Sequence, residues 1–260
     1  METSLADRVV VITGGSSGIG RATARAFGRE RSRVALTYRT NLKGAKSCAE
    51  EVETAGGTAI TLPFDLTSED SARELADSVA ARWGGIDVLV NCAGGRDRNA
   101  PWGSRFEDMS APEWRAELDT DLAGPFRLLQ TVVPNMRGRG WGRIVLVSSG
   151  AGEEGGQGVA AYATAKAGLL GLARSLAWEL GPEGILVNVV APGLTLTERT
   201  RQMVPAEIAE RFAVRVPSRR LSGPDDVAAL IVFLGSAANA NISGELLREG
   251  SATGRSAHAG

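Results

Sequence analysis

The chain has 260 residues, 43% of them apolar, with 29 basic and 30 acidic side chains and a formal charge of −1. A chain of this size buries roughly three quarters of its unfolded surface on folding, and its balanced charge offers no electrostatic footprint for nucleic acid or anionic lipid. No apolar run approaches the ~18 residues of a membrane span, and Met1 to Asp7 lacks the apolar stretch of a signal peptide. The expectation is a cytoplasmic protein with neither a nucleic-acid nor a membrane partner. Cys48 and Cys92 are too few for a disulfide framework or a metal centre, and the one histidine, His258, lies in the tail. A zinc hydrolase and a histidine-based triad are thereby excluded.

Short β-branched runs alternate with segments of helical period. Arg8 to Thr13 reads as a first strand and Gly20 to Arg31 as a first helix. Strands follow at Val34 to Tyr38, Ala59 to Phe64 and Asp87 to Asn91, with helices at Leu42 to Ala55 and Ser68 to Trp83 between them. A long helix is predicted over Pro112 to Arg137, then a strand at Arg143 to Ser148, a helix at Ala161 to Leu180, a strand at Leu186 to Val190 and a late helix at Pro224 to Leu234. Strands without polar alternation belong to a parallel sheet covered on both faces. Regular β-α-β order makes the fold class α/β, a doubly wound Rossmann sheet with helices on both faces. No repeat or linker divides the chain, so one domain is expected over 1–260, with its core over about 5–250 and a flexible tail beyond.

The turn after the first strand is Thr13-Gly14-Gly15-Ser16-Ser17-Gly18-Ile19-Gly20. Glycines there allow a tight turn and close approach to a pyrophosphate, and the following helix presents unpaired N–H groups and its positive dipole end. Further on, Tyr162 and Lys166 stand four apart, which puts both on one helix face. Only Lys43, Lys46 and Lys166 among the basic residues are lysines, so a lysine at 166 draws inspection.

The turn T-G-G-S-S-G-I-G resembles the T-G-x-x-x-G-x-G signature of the short-chain dehydrogenase/reductase family. The resemblance continues in order through Asp65, Asn91-Cys92-Ala93-Gly94, V-S-S at Val147 to Ser149, Tyr162-Ala163-Thr164-Ala165-Lys166, Asn188 to Gly193, and Thr197. It covers about 5–250 and is similar to the family's bacterial NADPH-dependent ketoreductases, which include 3-oxoacyl-carrier reductases. It implies a nicotinamide cofactor held by Gly14, Ser16, Ser17, Gly18, Ile19, Gly20, Tyr38, Arg39, Asp65, Leu66, Asn91, Ala93, Gly94, Pro192, Gly193, Thr195 and Thr197, with Tyr162 and Lys166. An acidic residue at the end of the second strand would favour NAD. Tyr38 and Arg39 stand there instead, with no carboxylate near, and a guanidinium can pair a 2′-phosphate. NADP(H) is therefore expected over NAD(H).

The same resemblance makes Ser149, Tyr162 and Lys166 catalytic. Hydride arriving at a carbonyl carbon leaves an alkoxide that needs a proton. A free tyrosine has a pKa of about 10, so the neighbouring ammonium would have to favour the phenolate for work near neutrality. Ser149 would hydrogen-bond the substrate oxygen; Ser148 reads as a strand-end residue. The sequence departs from the family at Asp121, where the usual residue is an asparagine thought to hold a water beside the lysine. Asp121 is either a tolerated substitute or the mark of an altered proton relay or impaired catalysis, and it is expected within about one water of Lys166.

The loop Gly95 to Ser110, with Arg96, Arg98 and Trp102, and the segment Leu194 to Arg215 would wall the substrate pocket. Leu194, Leu196, Met203, Val204 and Phe212 suit a bulky ketone, a polyketide or a carrier-bound 3-oxoacyl group among them. The family's last strand leads into a G-G pair, but Leu246 to Ser251 reads L-L-R-E-G-S here. Ala163, Ala167, Leu170 and Arg174 lie on a helix flank away from the pocket, and the resemblance implies a homotetramer or homodimer. The alternative to an enzyme is a catalytically impaired relative that binds NADP(H) as a sensor or scaffold.

Overall fold

A computed structural model describes residues 2–94 and 105–250. The chain runs β1 (Val9–Thr13), α1 (Gly18–Arg29), β2 (Arg33–Tyr38), α2 (Leu42–Thr54), β3 (Thr58–Pro63), α3 (Glu69–Trp83) and β4 (Val88–Asn91). It continues through α4 (Ala111–Leu118), a π turn (Asp119–Ala123), α5 (Gly124–Arg137), β5 (Gly142–Val147), α6 (Ala151–Glu154), α7 (Ala160–Leu180) and β6 (Ile185–Pro192). Then come α8 (Glu198–Met203), α9 (Ala206–Ala213), α10 (Pro224–Leu234) and β7 (Leu246–Glu249).

The seven strands form one parallel sheet in the order β3-β2-β1-β4-β5-β6-β7. Successive residues of a strand point to opposite faces, and here both faces are covered. Val9 and Val11 of β1, Leu89, Ile144 and Val187 join the layer under α3, α5 and α7. Val10 and Ile12 of β1, Val88, Val145 and Val190 join the layer under α1, α2 and α10. That two-sided burial is why the central strands read as uninterrupted apolar runs. From the β1–β4 pair the chain winds outward in both directions, so a crevice opens at the carboxyl ends of these strands, where open α/β sheets bind ligands.

Three of the differences from the sequence reading bear on the site. The helix expected over Pro112 to Arg137 is interrupted by the π turn. Pro125 has no N–H to bond the Asp121 carbonyl, so a regular α-turn cannot close there and the backbone widens. Close packing adds to this, since a Cβ at Gly124 would lie 2.8 Å from Leu66 Cβ. The first helix begins at Gly18, two residues earlier than expected, so Gly18 and Ile19 belong to its first turn. β6 extends to Pro192 because β7 pairs with it from Val189↔Leu246 to Pro192↔Glu249.

Candidate active site

The glycine turn is fixed by contacts that leave no room for side chains. Gly15 N donates to Thr37 O at 3.0 Å and Gly14 N to Thr37 Oγ1 at 3.3 Å, which binds the turn to β2. Gly14 has φ +68°, and a Cβ on it would lie 3.1 Å from Ala93 Cα; one on Gly20 would lie 2.3 Å from the Gly14 carbonyl oxygen. Side chains at either position would break the turn. Ser17 makes no side-chain cap, so the α1 N-terminus is left to whatever approaches it. Ser16 is half-buried and Ser17 exposed on the same lip.

Thr13 joins the ends of β1 and β4. Its hydroxyl donates to Asn91 Oδ1 at 2.9 Å and accepts from Ala93 N at 2.9 Å. The side chain of Asn91 is thus buried in the sheet, and only its main chain can face the crevice. The segment after β6 closes the opposite rim: Thr195 bridges to Ser222, Gly193 N donates to Glu249 O at 2.7 Å, and Thr197 Cγ2 would lie 3.4 Å from a Cβ at Gly18. The turn, the Ala93–Gly94 segment and the Pro192–Thr197 segment therefore frame one cleft. Its glycines form a cradle that any Cβ would fill, and these residues fit a dinucleotide.

Tyr38 is half-buried and Arg39 exposed at the end of β2. Asp65 follows β3, and its carboxylate accepts from Thr67 N at 2.9 Å and Thr67 Oγ1 at 2.8 Å. Those bonds, with Arg39 nearby, hold the Asp65 pKa below the ordinary carboxylate value. A carboxylate does therefore stand within electrostatic reach of Arg39, contrary to expectation. The parallel pairing Tyr38↔Pro63 carries residues 39 and 65 off adjacent strand ends. Leu66 is buried beneath Gly124.

At the other end of the cleft, β5 delivers Ser148 and Ser149. Ser149 is half-buried and its Oγ accepts from Ala151 N at 3.2 Å. Ser148 is buried and donates to the main-chain carbonyl of Lys166 at 2.8 Å. On α7, Tyr162 is half-buried and Lys166 is 4% exposed, with Nζ 5.7 Å from the Tyr162 ring centroid. Lys166 Nζ donates to Val147 O at 3.4 Å.

Asp121 falls within the expected one-water range of Lys166 and meets it directly. Its Oδ2 lies 3.3 Å from Lys166 Nζ, both side chains buried. The π turn brings residue 121 inward, and Gly94, at φ +119°, leaves the space: a Cβ there would be 2.6 Å from Asp121 Oδ1. Burial is the largest influence on Lys166 and acts against its charge, but Asp121, Tyr162 and Glu117 together hold its pKa above the ordinary lysine value. Cys92 faces the same ammonium, yet burial pushes its thiol up to about 12.

Of the expected pocket wall, Leu194, Leu196 and Val204 are half-buried, whereas Met203 and Phe212 are exposed on α8 and α9. Arg96, Arg98 and Trp102 lie outside the described residues. Thr13 and Ser148 had no assigned role in the sequence reading; their position at a strand end beside a glycine or serine motif was the available signal.

A parallel sheet in this order, with a glycine cradle at its switch point, defines a dinucleotide-binding protein of the Rossmann class. The chain belongs to the short-chain dehydrogenase/reductase family: residues 8–208 match the short chain dehydrogenase family model. It is 37% identical to a 3-oxoacyl-[acyl-carrier-protein] reductase of Aquifex aeolicus, covering 95% of this chain and 97% of that protein. It is 38% identical to an acetoacetyl-CoA reductase of Shinella zoogloeoides, covering 88% and 91%. Among solved structures, a 7α-hydroxysteroid dehydrogenase complexed with NADH and 7-oxo glycochenodeoxycholic acid superposes with a TM-score of 0.88 at 32% identity, covering 95% and 94%. The family's enzymes act on the CH–OH/C=O couple with nicotinamide cofactors. No helix among the described residues is long and apolar enough to cross a membrane.

Proposed function

We propose that the protein is a cytoplasmic, NADPH-dependent carbonyl reductase that reduces a ketone, of which a 3-oxoacyl thioester on a carrier is the leading candidate. The observation that carries this reading is the pairing of Tyr162 with Lys166 one helical turn apart, beside Ser149 at the adjacent strand end. The bound cofactor would supply hydride to the carbonyl carbon. Tyr162 Oη gives its proton to the carbonyl oxygen, Ser149 Oγ hydrogen-bonds that oxygen while charge develops, and Lys166 holds the ribose and orients the phenol. Gly14 to Gly20 would carry the pyrophosphate on the α1 N-terminus, and Asp65 and Leu66 would flank the adenine.

Arg39 supports NADPH as the cofactor: its guanidinium is exposed at the end of β2, where an acidic residue would otherwise repel a 2′-phosphate. The substrate class draws on the acyl reductases among the relatives and on the apolar residues of α8 and α9. A homo-oligomer, tetramer or dimer, is also proposed. Its support is a groove of about 630 Å³ along α4, α5 and α7, with Leu118, Leu122, Phe126 and Leu172 in its wall, and Trp178, 88% exposed on α7.

The test is NADPH consumption with a panel of 3-oxoacyl thioesters and bulky ketones. Turnover with at least one supports the reading. NADPH binding without turnover across the panel favours the sensor or scaffold, the reading the Asp121 departure motivates.

A further inference from the structure

We propose that Asp121 is a positioning residue that sets the pH range in which the site works: its direct pairing with Lys166 withdraws the cation from Tyr162, so alcohol oxidation, which needs the phenolate, is displaced to higher pH. This rests on the proposed role of Tyr162 as proton donor.

The argument begins with the geometry of the ammonium. A lysine head has three N–H donors. In Lys166, one is directed at Asp121 Oδ2 at 3.3 Å and one at Val147 O at 3.4 Å. The carboxylate is 0% exposed and the lysine side chain 5%, so water screens the pair weakly. A second acid, Glu117 of α4, also acts on the ammonium, and the Cys92 thiol stays neutral because burial holds its pKa at about 12. The groups facing Lys166 are therefore Asp121 from the π turn, Glu117 from α4, Cys92 after β4 and Tyr162 from its own helix. With its charge largely balanced by Asp121, the ammonium lends less stabilisation to a phenolate one turn away.

The arrangement is specific to this pair of positions. Gly94 has no side chain to exclude the carboxylate, and the widened turn aims residue 121 at α7. An amide at 121 would fit the same space without charge.

The two directions of the reaction use opposite forms of Tyr162. In reduction, hydride adds to the carbonyl carbon, the C=O π pair moves to oxygen, and Tyr162 Oη delivers the proton; the ketone is reduced and the dihydronicotinamide oxidised. In oxidation, the Tyr162 phenolate accepts the alcohol proton, the O–H pair forms the C=O bond, and the oxidised nicotinamide, when bound, would take the hydride from carbon. Weakening the cation moves the phenolate-dependent limb to higher pH and leaves the phenol its proton for reduction.

Tyr38 and Tyr162 are the only tyrosines, so ionisation of Tyr162 can be read directly. The experiment is a near-ultraviolet tyrosinate titration in a Tyr38→Phe background, with and without Asp121→Asn. It is run beside kcat/KM against pH in both directions for the wild type and Asp121→Asn. Asp121→Ser serves as a second charge-removing variant should the amide not fold. The expected result is that removing the charge moves both the tyrosinate titration and the oxidation limb to lower pH by up to about one unit. Reduction near neutrality should stay within about threefold, a change smaller than one such unit. Superimposable titrations and profiles would overturn the proposal and leave Asp121 as a structural substitute for the amide. Failure of the underlying reading is separate: it would show as turnover surviving Tyr162→Phe, whatever stands at 121.

Discussion

The hydroxyl of Ser148 donates to the main-chain carbonyl of Lys166 at 2.8 Å, and both residues are buried. A strand end and a helical residue eighteen positions downstream are thereby held in one register, which keeps the segment carrying Ser149 against the helix carrying Tyr162 and Lys166. Ser148→Ala removes this buried hydrogen bond. The expected outcome is a stability loss of about 1 kcal/mol and a several-fold lower kcat, with cofactor affinity nearly unchanged. Thermal melts, cofactor titration and steady-state kinetics on one preparation check all three.

Arg39 should decide between the two nicotinamide cofactors. Wild type is expected to bind NADPH at least about tenfold more tightly than NADH, roughly 1.4 kcal/mol, and Arg39→Ala should erase most of that difference without weakening NADH. Fluorescence titration of both cofactors measures it. Equal affinities in the wild type would remove the role of the β2 end.

Glu249 links the last strand to the rim of the cleft. Its Oε1 accepts from Ser222 Oγ at 2.6 Å, Oε2 is buried without a hydrogen bond, and burial raises its pKa above the ordinary glutamate value. A carboxyl whose folded pKa is raised stabilises the fold below its unfolded pKa, and that contribution is lost as pH rises through the folded value. Glu249→Gln should thus leave the melting temperature unchanged in acid and raise it by about 2 °C above neutrality. Calorimetry at the two pH values tests the sign.

The exposed Trp178 and Phe126 should lie at a contact between copies of the chain. Light scattering is expected to give a multiple of 27.1 kDa for the wild type and a smaller mass for Phe126→Glu or Trp178→Glu. A monomeric wild type at micromolar concentration would contradict the proposed oligomer.

Much of this fold is legible because its central strands are buried on both faces and must be apolar throughout, as in β1 (V-V-V-I-T) and β4 (V-L-V-N). The glycine turn is legible for a related reason: the left-handed φ at Gly14 favours glycine, and the close approach of Gly20 to the Gly14 carbonyl excludes a side chain. The π turn was not legible, because Asp119 to Ala123 keeps the helical period of its neighbours and only Pro125 hints at a missing donor. The directness of the Asp121–Lys166 contact has no local signature either. It depends on an empty Cβ position at Gly94, on another segment of the chain. The nearness of Arg39 to Asp65 likewise follows from strand pairing and has no local signature.

The claim that Tyr162 delivers the proton in carbonyl reduction is tested most directly by single-turnover NADPH oxidation with a 3-oxoacyl thioester, comparing wild type with Tyr162→Phe. A positioned general acid contributes about 10²–10⁴-fold. The account predicts a rate loss in that range for Tyr162→Phe, with NADPH affinity within a few fold of wild type. A variant that oxidised NADPH at close to the wild-type rate would contradict it.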